Sequence, residues 1–95
     1  MISWTEQATH QLDEARDFIA LSKSQDVADR VVLRILASVQ RLERFPLSGR
    51  PGRVRGTREL VISGTPFIAA YTLAKRQVVI LALYHGAQRW PEDFE

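Results

Sequence analysis

The chain has 95 residues, 45% of them hydrophobic and 25% charged, the composition of one small globular domain over 1–95 and not of a disordered segment. It has no cysteine, which excludes a disulfide framework, a thiol nucleophile and a cysteine-based zinc site. Its two histidines, His10 and His85, lie far apart in sequence, so neither a metal nor another cofactor is expected. A formal net charge of +2 hides an uneven distribution: Arg41, Arg44, Arg50, Arg53, Arg55 and Arg58 fall within 41–58 beside one acid, Glu43. Such a segment steers toward phosphate or toward an acidic partner, and arginine suits bidentate contacts. The first residues lack the basic and apolar regions of a secretory signal, and the longest apolar run, 78–84, is too short to cross a bilayer. A soluble, cytoplasmic protein is the expectation.

Ile2, Ser3 and Trp4 read as a short strand. Ser3 and Glu6 have capping-box spacing and Thr5 is a second N-cap, so a helix starts near Thr5. Ala8, Leu12, Ala15 and Ile19 recur at helical steps and predict an amphipathic helix ending near Leu21. After a short polar break, Asp26 is a good N-cap for a second helix. Ala28, Val31, Val32, Ile35, Val39 and Leu42 keep its period to about Arg44, where Phe45-Pro46 ends it. A loop this short between two helices implies an antiparallel hairpin.

The next stretch, 46–56, holds two prolines and three glycines in eleven residues, and predicts a cationic loop with no regular element. The period then changes to that of strands. Strands are expected over 58–63, 67–73 and 78–84, separated by turns at Gly64-Thr65-Pro66 and at Ala74-Lys75-Arg76-Gln77. The last of them is apolar on both faces and should be central. The order β-α-α-β-β-β predicts an α+β, two-layer domain: a helical hairpin packed on a mainly antiparallel sheet, with the first strand free to join either edge.

Several stretches now combine. Phe45-Pro46-x-x-Gly49-Arg50, Gly56-Thr57-Arg58-Glu59-Leu60, Pro66-Phe67-x-x-x-Tyr71 and Val79-Ile80-Leu81-x-x-x-His85-x-x-Gln88-x-Trp90-Pro91, in this order, resemble ParE-type toxins of the RelE/ParE toxin–antitoxin superfamily. The resemblance spans essentially the whole chain. It implies the RelE/ParE-like fold, and a toxin neutralised by a cognate, ParD-like antitoxin whose extended segment lies over a groove, in a hetero-oligomer tied to plasmid stability. ParE members are associated with poisoning DNA gyrase. RelE-like members of the same fold cut messenger RNA on the ribosome, and fold alone does not choose between the two.

Under the ribonuclease alternative, Arg58 neutralises the scissile phosphate and His85 moves a proton, with Arg50, Arg53 or Arg55 adding charge. The competing structural reading pairs Arg58 with a neighbouring carboxylate. The tail after His85 offers Gln88, Arg89 and Trp90 but no tyrosine, a departure from the nuclease pattern that weighs against bond chemistry. The favoured reading therefore has no catalytic residue. It places target contacts at His85, Gln88, Arg89 and Trp90 and on the arginine-rich patch formed by Arg41, Arg44, Arg50, Arg53, Arg55 and Arg58. A third reading is a non-toxic module that only binds its antitoxin.

Overall fold

A computed structural model of the chain describes residues 1–86. Strand β1 (Ile2–Trp4) leads into helix α1 (Glu6–Ser22) and helix α2 (Gln25–Gln40). A 3-10 turn at Arg41–Glu43 and a loop precede strands β2 (Arg50–Pro51), β3 (Arg58–Val61), β4 (Phe67–Ala74) and β5 (Gln77–His85). The strands form one sheet in the order β1-β5-β4-β3-β2. β1 joins β5 in parallel, Ile2 opposite Val78 and Trp4 opposite Ile80, so β5 lies between β1 and β4 as its two-sided apolar sequence requires. The other pairings are antiparallel.

The helix hairpin packs on the sheet and encloses the core. Ala8 of α1, Ile35 and Val39 of α2, and Leu42 meet Ala69 and Tyr71 of β4 and Val78, Ile80 and Leu83 of β5. Thr5 caps α1: its hydroxyl accepts from the Ala8 N–H at 3.1 Å. Ser24, and not Asp26, caps α2, accepting from the Val27 N–H at 3.1 Å. Asp26 sits in the first turn, where its charge still complements the helix dipole. α2 also stops earlier than its period implies. Continuing it past Leu42 would require the N–H of Pro46, which does not exist, and the chain tightens into the 3-10 turn instead.

The loop over 46–56 contains a regular element after all. Arg50–Pro51 pairs with Glu59 and Arg58 as a two-residue edge strand. Proline is admissible there because an edge strand has one side with no ladder to feed. β3 ends at Val61, two residues earlier than expected, where Gly64 turns the chain with φ of 78°. β4 and β5 run longer than expected and leave only Lys75-Arg76 between them, with φ of 50° and 67°.

One irregularity sets which way β5 faces. Ala70 pairs with Ala82, but Tyr71 pairs with Ile80, so Leu81 is an extra residue without a partner. Val78 and Ile80 face the helices before the bulge, and Leu83 faces them after it. Ala82 and Tyr84 cluster instead with Ala70. β1 covers β5 only as far as Ile80. Beyond it the Thr5 hydroxyl donates to the Leu81 carbonyl at 3.1 Å, and the Gln11 side-chain oxygen accepts from the Leu83 N–H at 2.8 Å. Helix α1 thereby closes an edge that otherwise lies open.

Candidate partner-binding surface

Tyr71 anchors the loop that carries the arginines. It is fully buried, and its hydroxyl accepts from the Gly49 N–H at 2.9 Å while donating to the Pro46 carbonyl at 2.8 Å. Arg58, opposite Tyr71 on β3, adds a second clamp by donating to the Gly49 carbonyl at 2.7 Å and the Leu47 carbonyl at 3.3 Å. Neighbours on a strand point to opposite faces, so Glu59 turns away from Arg58. Its side chain is 2% exposed and accepts from Arg50 Nη2 at 3.0 Å, from the Arg53 N–H at 2.8 Å and, at 3.6 Å, pairs with Arg53 Nε. The Arg58–carboxylate pair expected under the structural reading is thus replaced. Arg58 serves backbone carbonyls, and Glu59 serves Arg50 and Arg53.

This arrangement separates the two residues that a ribonuclease needs together. Arg58 stands opposite Tyr71 and His85 opposite Phe67, on different sides of β4. Four residues of strand at about 3.3 Å each, and two strand spacings of about 4.8 Å, put their backbones about 16 Å apart. Nη1 of Arg58 is engaged by the Gly49 and Leu47 carbonyls. His85 ends β5 exposed, on the same face as Leu83, its ring edge-on to Phe67 with centroids 5.8 Å apart. Gln88, Arg89 and Trp90 lie outside the described residues. Tyr84 points away from His85 as alternation requires, and burial raises its phenol above the ordinary tyrosine value, opposed by a hydrogen bond with Gln11. Among the described residues no group of three or more His, Cys, Asp or Glu is placed to hold a metal. No helix of the described residues is long and apolar enough to cross a membrane.

The surface best formed to take a partner lies on the outer side of α2. Leu33 is 65% exposed, Phe45 54% and Val61 51%. One hollow of about 390 Å³ runs between Ser38, Arg41 and Phe45 on one wall and Leu60 and Val61 on the other. A second follows along Arg30, Leu33, Arg34 and Ala37 to Gly64 and Thr65. Together they make a groove of mixed lining, with Leu33, Phe45, Leu60 and Val61 beside Arg30, Arg34 and Arg41. β2 pairs with Arg58 and Glu59 only, which leaves β3 uncovered at Val61. Of the expected arginine patch, Arg41 belongs to this groove, and Arg44 lines a neighbouring hollow with Ala37 and Phe45. Arg50 on β2, Arg53 and Arg55 in the loop after it and Arg58 at the start of β3 lie together at the end of the sheet. Sequence reasoning did not single out Leu33 or Val61. The available signal was that α2 carries leucine on the side opposite its core stripe.

The family model for the ParE toxin of type II toxin–antitoxin systems, parDE, matches residues 2–90. The chain belongs to the ParE toxin family. A protein of Sinorhizobium fredii (strain NBRC 101917 / NGR234) named "Putative toxin Y4kP" is 44% identical to this ParE-family toxin over 91 residues, covering 96% of the toxin and 93% of the relative. A chain of the chromosomal ParDE TA system from P. aeruginosa superposes with a TM-score of 0.82 at 27% identity, covering 88% of the toxin and 92% of that chain. The toxin has the α+β fold of that structure: two helices on a five-stranded mixed sheet.

Proposed function

We propose that this ParE-family toxin acts by binding DNA gyrase and stalling it on DNA, and that a ParD-like antitoxin in the cytoplasm holds it inactive. The observation that carries this reading is the separation of Arg58 from His85, with Arg58 committed to the Gly49 and Leu47 carbonyls. Two candidate catalytic side chains held this far apart favour action by occupancy over bond chemistry. His85, Gln88, Arg89 and Trp90, together with the arginines of 41–58, are the proposed target contacts. The antitoxin's occupant segment fits the groove beside α2: apolar side chains on Leu33, Phe45 and Val61, acidic ones facing Arg30, Arg34 and Arg41, and main-chain pairing at the open edge of β3.

The test is a gyrase supercoiling and cleavage assay with the purified toxin, beside a ribosome-programmed mRNA cleavage assay. Blocked supercoiling with trapped DNA breaks and intact mRNA is the expected outcome. Cut mRNA with unaffected gyrase overturns the reading. Neither effect, with antitoxin binding retained, makes the chain a non-toxic binding module.

A further inference from the structure

Two segments far apart in sequence meet at one end of the sheet. Pro51, Gly56, Thr57 and Arg58 line a hollow with Thr72 and Leu73, and the Thr72 hydroxyl donates to the Gly56 carbonyl at 2.9 Å. Arg76, just past the end of β4, borders the adjoining hollow with Leu42, Glu43 and Pro46. This end therefore collects Arg50, Arg53, Arg55, Arg58, Lys75 and Arg76. The acids within 41–77 are Glu43 and Glu59 alone: Glu43 pairs with the N-terminal ammonium at 2.6 Å, and Glu59 offsets part of the charge of Arg50 and Arg53, which leaves the end strongly cationic. The two helices carry six acids, Glu6, Asp13, Glu14, Asp17, Asp26 and Asp29, against the three arginines Arg16, Arg30 and Arg34. The molecule is polarised.

The β4–β5 turn adds an independent observation. Both of its residues have positive φ, a conformation for which Asn-Gly is the favoured pair and which side chains with a Cβ adopt at a cost. Lys75 and Arg76 are exposed and make no ion pair among the described residues, so no internal contact accounts for two cations there. Strained, exposed residues of one sign, next to a loop of the same sign, mark a surface shaped for a ligand.

We propose that this pole binds the phosphate backbone of duplex DNA, independently of base sequence and separately from the groove beside α2. Neither 50–58 nor 73–77 contains an aromatic side chain on which unstacked bases of a single strand would lie. Nor does the pole offer the alternating apolar slots that an acidic peptide needs: Val54 is buried, and Leu73 is the exposed aliphatic side chain there. Guanidinium and ammonium groups gathered at one end of the sheet fit a regular line of phosphates. The inference concerns toxin and DNA alone, and stands or falls independently of gyrase.

The experiment is fluorescence anisotropy of a short labelled DNA duplex of random sequence with the purified full chain, as a function of salt. With four of the six cations on phosphates, affinity falls about 100-fold between roughly 50 and 200 mM salt. Lys75→Ala/Arg76→Ala lowers affinity at low salt at least tenfold and flattens the log–log salt slope by about 2. The charge-matched control Arg16→Ala/Lys23→Ala, off the pole, leaves the slope unchanged, and thermal melts verify that both variants fold. Absence of binding at low salt overturns the proposal, as does equal loss in the control. Equal binding to poly-glutamate assigns the pole to an acidic protein, and equal binding to duplex RNA removes the commitment to DNA. Gyrase inhibition that survives in a toxin that does not bind DNA would sink this inference and leave the gyrase reading standing.

Discussion

At Gly49 the backbone lies against the Tyr71 ring. An added Cβ would meet Tyr71 Oη at 2.5 Å and Cε1 at 2.6 Å, and the ring is fully buried with nowhere to go. Gly49→Ala is therefore expected to destabilise the toxin by about 2–3 kcal/mol, read as a lower denaturant midpoint with an unchanged m-value. Glu59 makes a different kind of contribution. Its carboxylate is buried, but Arg50 and Arg53 are half exposed and rehydrate when it is neutralised. Glu59→Gln should cost about 1–2 kcal/mol, less than the 3–5 of a fully buried broken pair. Its clearer signature is faster amide exchange over 50–53, because the Arg53 N–H loses a charged acceptor. Unchanged exchange there would mean that Glu59 does not hold the loop. At Arg58 the same scale bears on function, since the Nη1 group that holds the Gly49 and Leu47 carbonyls fixes the side chain on the loop and away from His85.

The elements show which signals in the chain were unambiguous. Both helices and all three long strands lie where periodicity puts them, because their apolar stripes are long enough to have one solution. The misjudged boundaries each involve a local contest: Ser24 against Asp26 for one cap, Pro46 withholding an N–H from α2, and Arg50–Pro51 recruited as a strand by the free edge of β3. The β4–β5 turn was recognised as a turn, but not its two-residue form. Lys75→Asn/Arg76→Gly should stabilise the hairpin by about 1–2 kcal/mol, since each L-residue in the left-handed region costs about that much or less after local relaxation. A melt no higher than that of the parent would show that the turn is not strained. The gain in stability and the predicted loss of DNA affinity would come from the same two residues, as expected where strain serves a site.

Across the whole molecule, the groove beside α2 and the cationic end of the sheet are separate surfaces. Leu33→Glu/Val61→Glu alters side chains that are already exposed, so stability should stay within about 0.5 kcal/mol. Antitoxin affinity, measured by calorimetry with the cognate protein, should fall about 10- to 100-fold, through lost apolar contact and repulsion of acidic side chains. Antitoxin that binds the variant as tightly as the parent places its segment elsewhere.

By itself the sequence determined the α+β class, the helical hairpin, the antiparallel run of strands, the central place of the last one and the family. All of these rest on period, turn residues and ordered motifs that are local in the chain. Tertiary structure alone decided that β1 joins β5 in parallel, that Leu81 bulges and so turns Leu83 toward the core, and that Arg58 and His85 stand at different ends of the sheet. It also divided one run of arginines between a groove and a loop. The reason is physical: residue types and spacing set which elements form, but register, edge pairing and the destination of a long side chain depend on partners that sit elsewhere in the sequence.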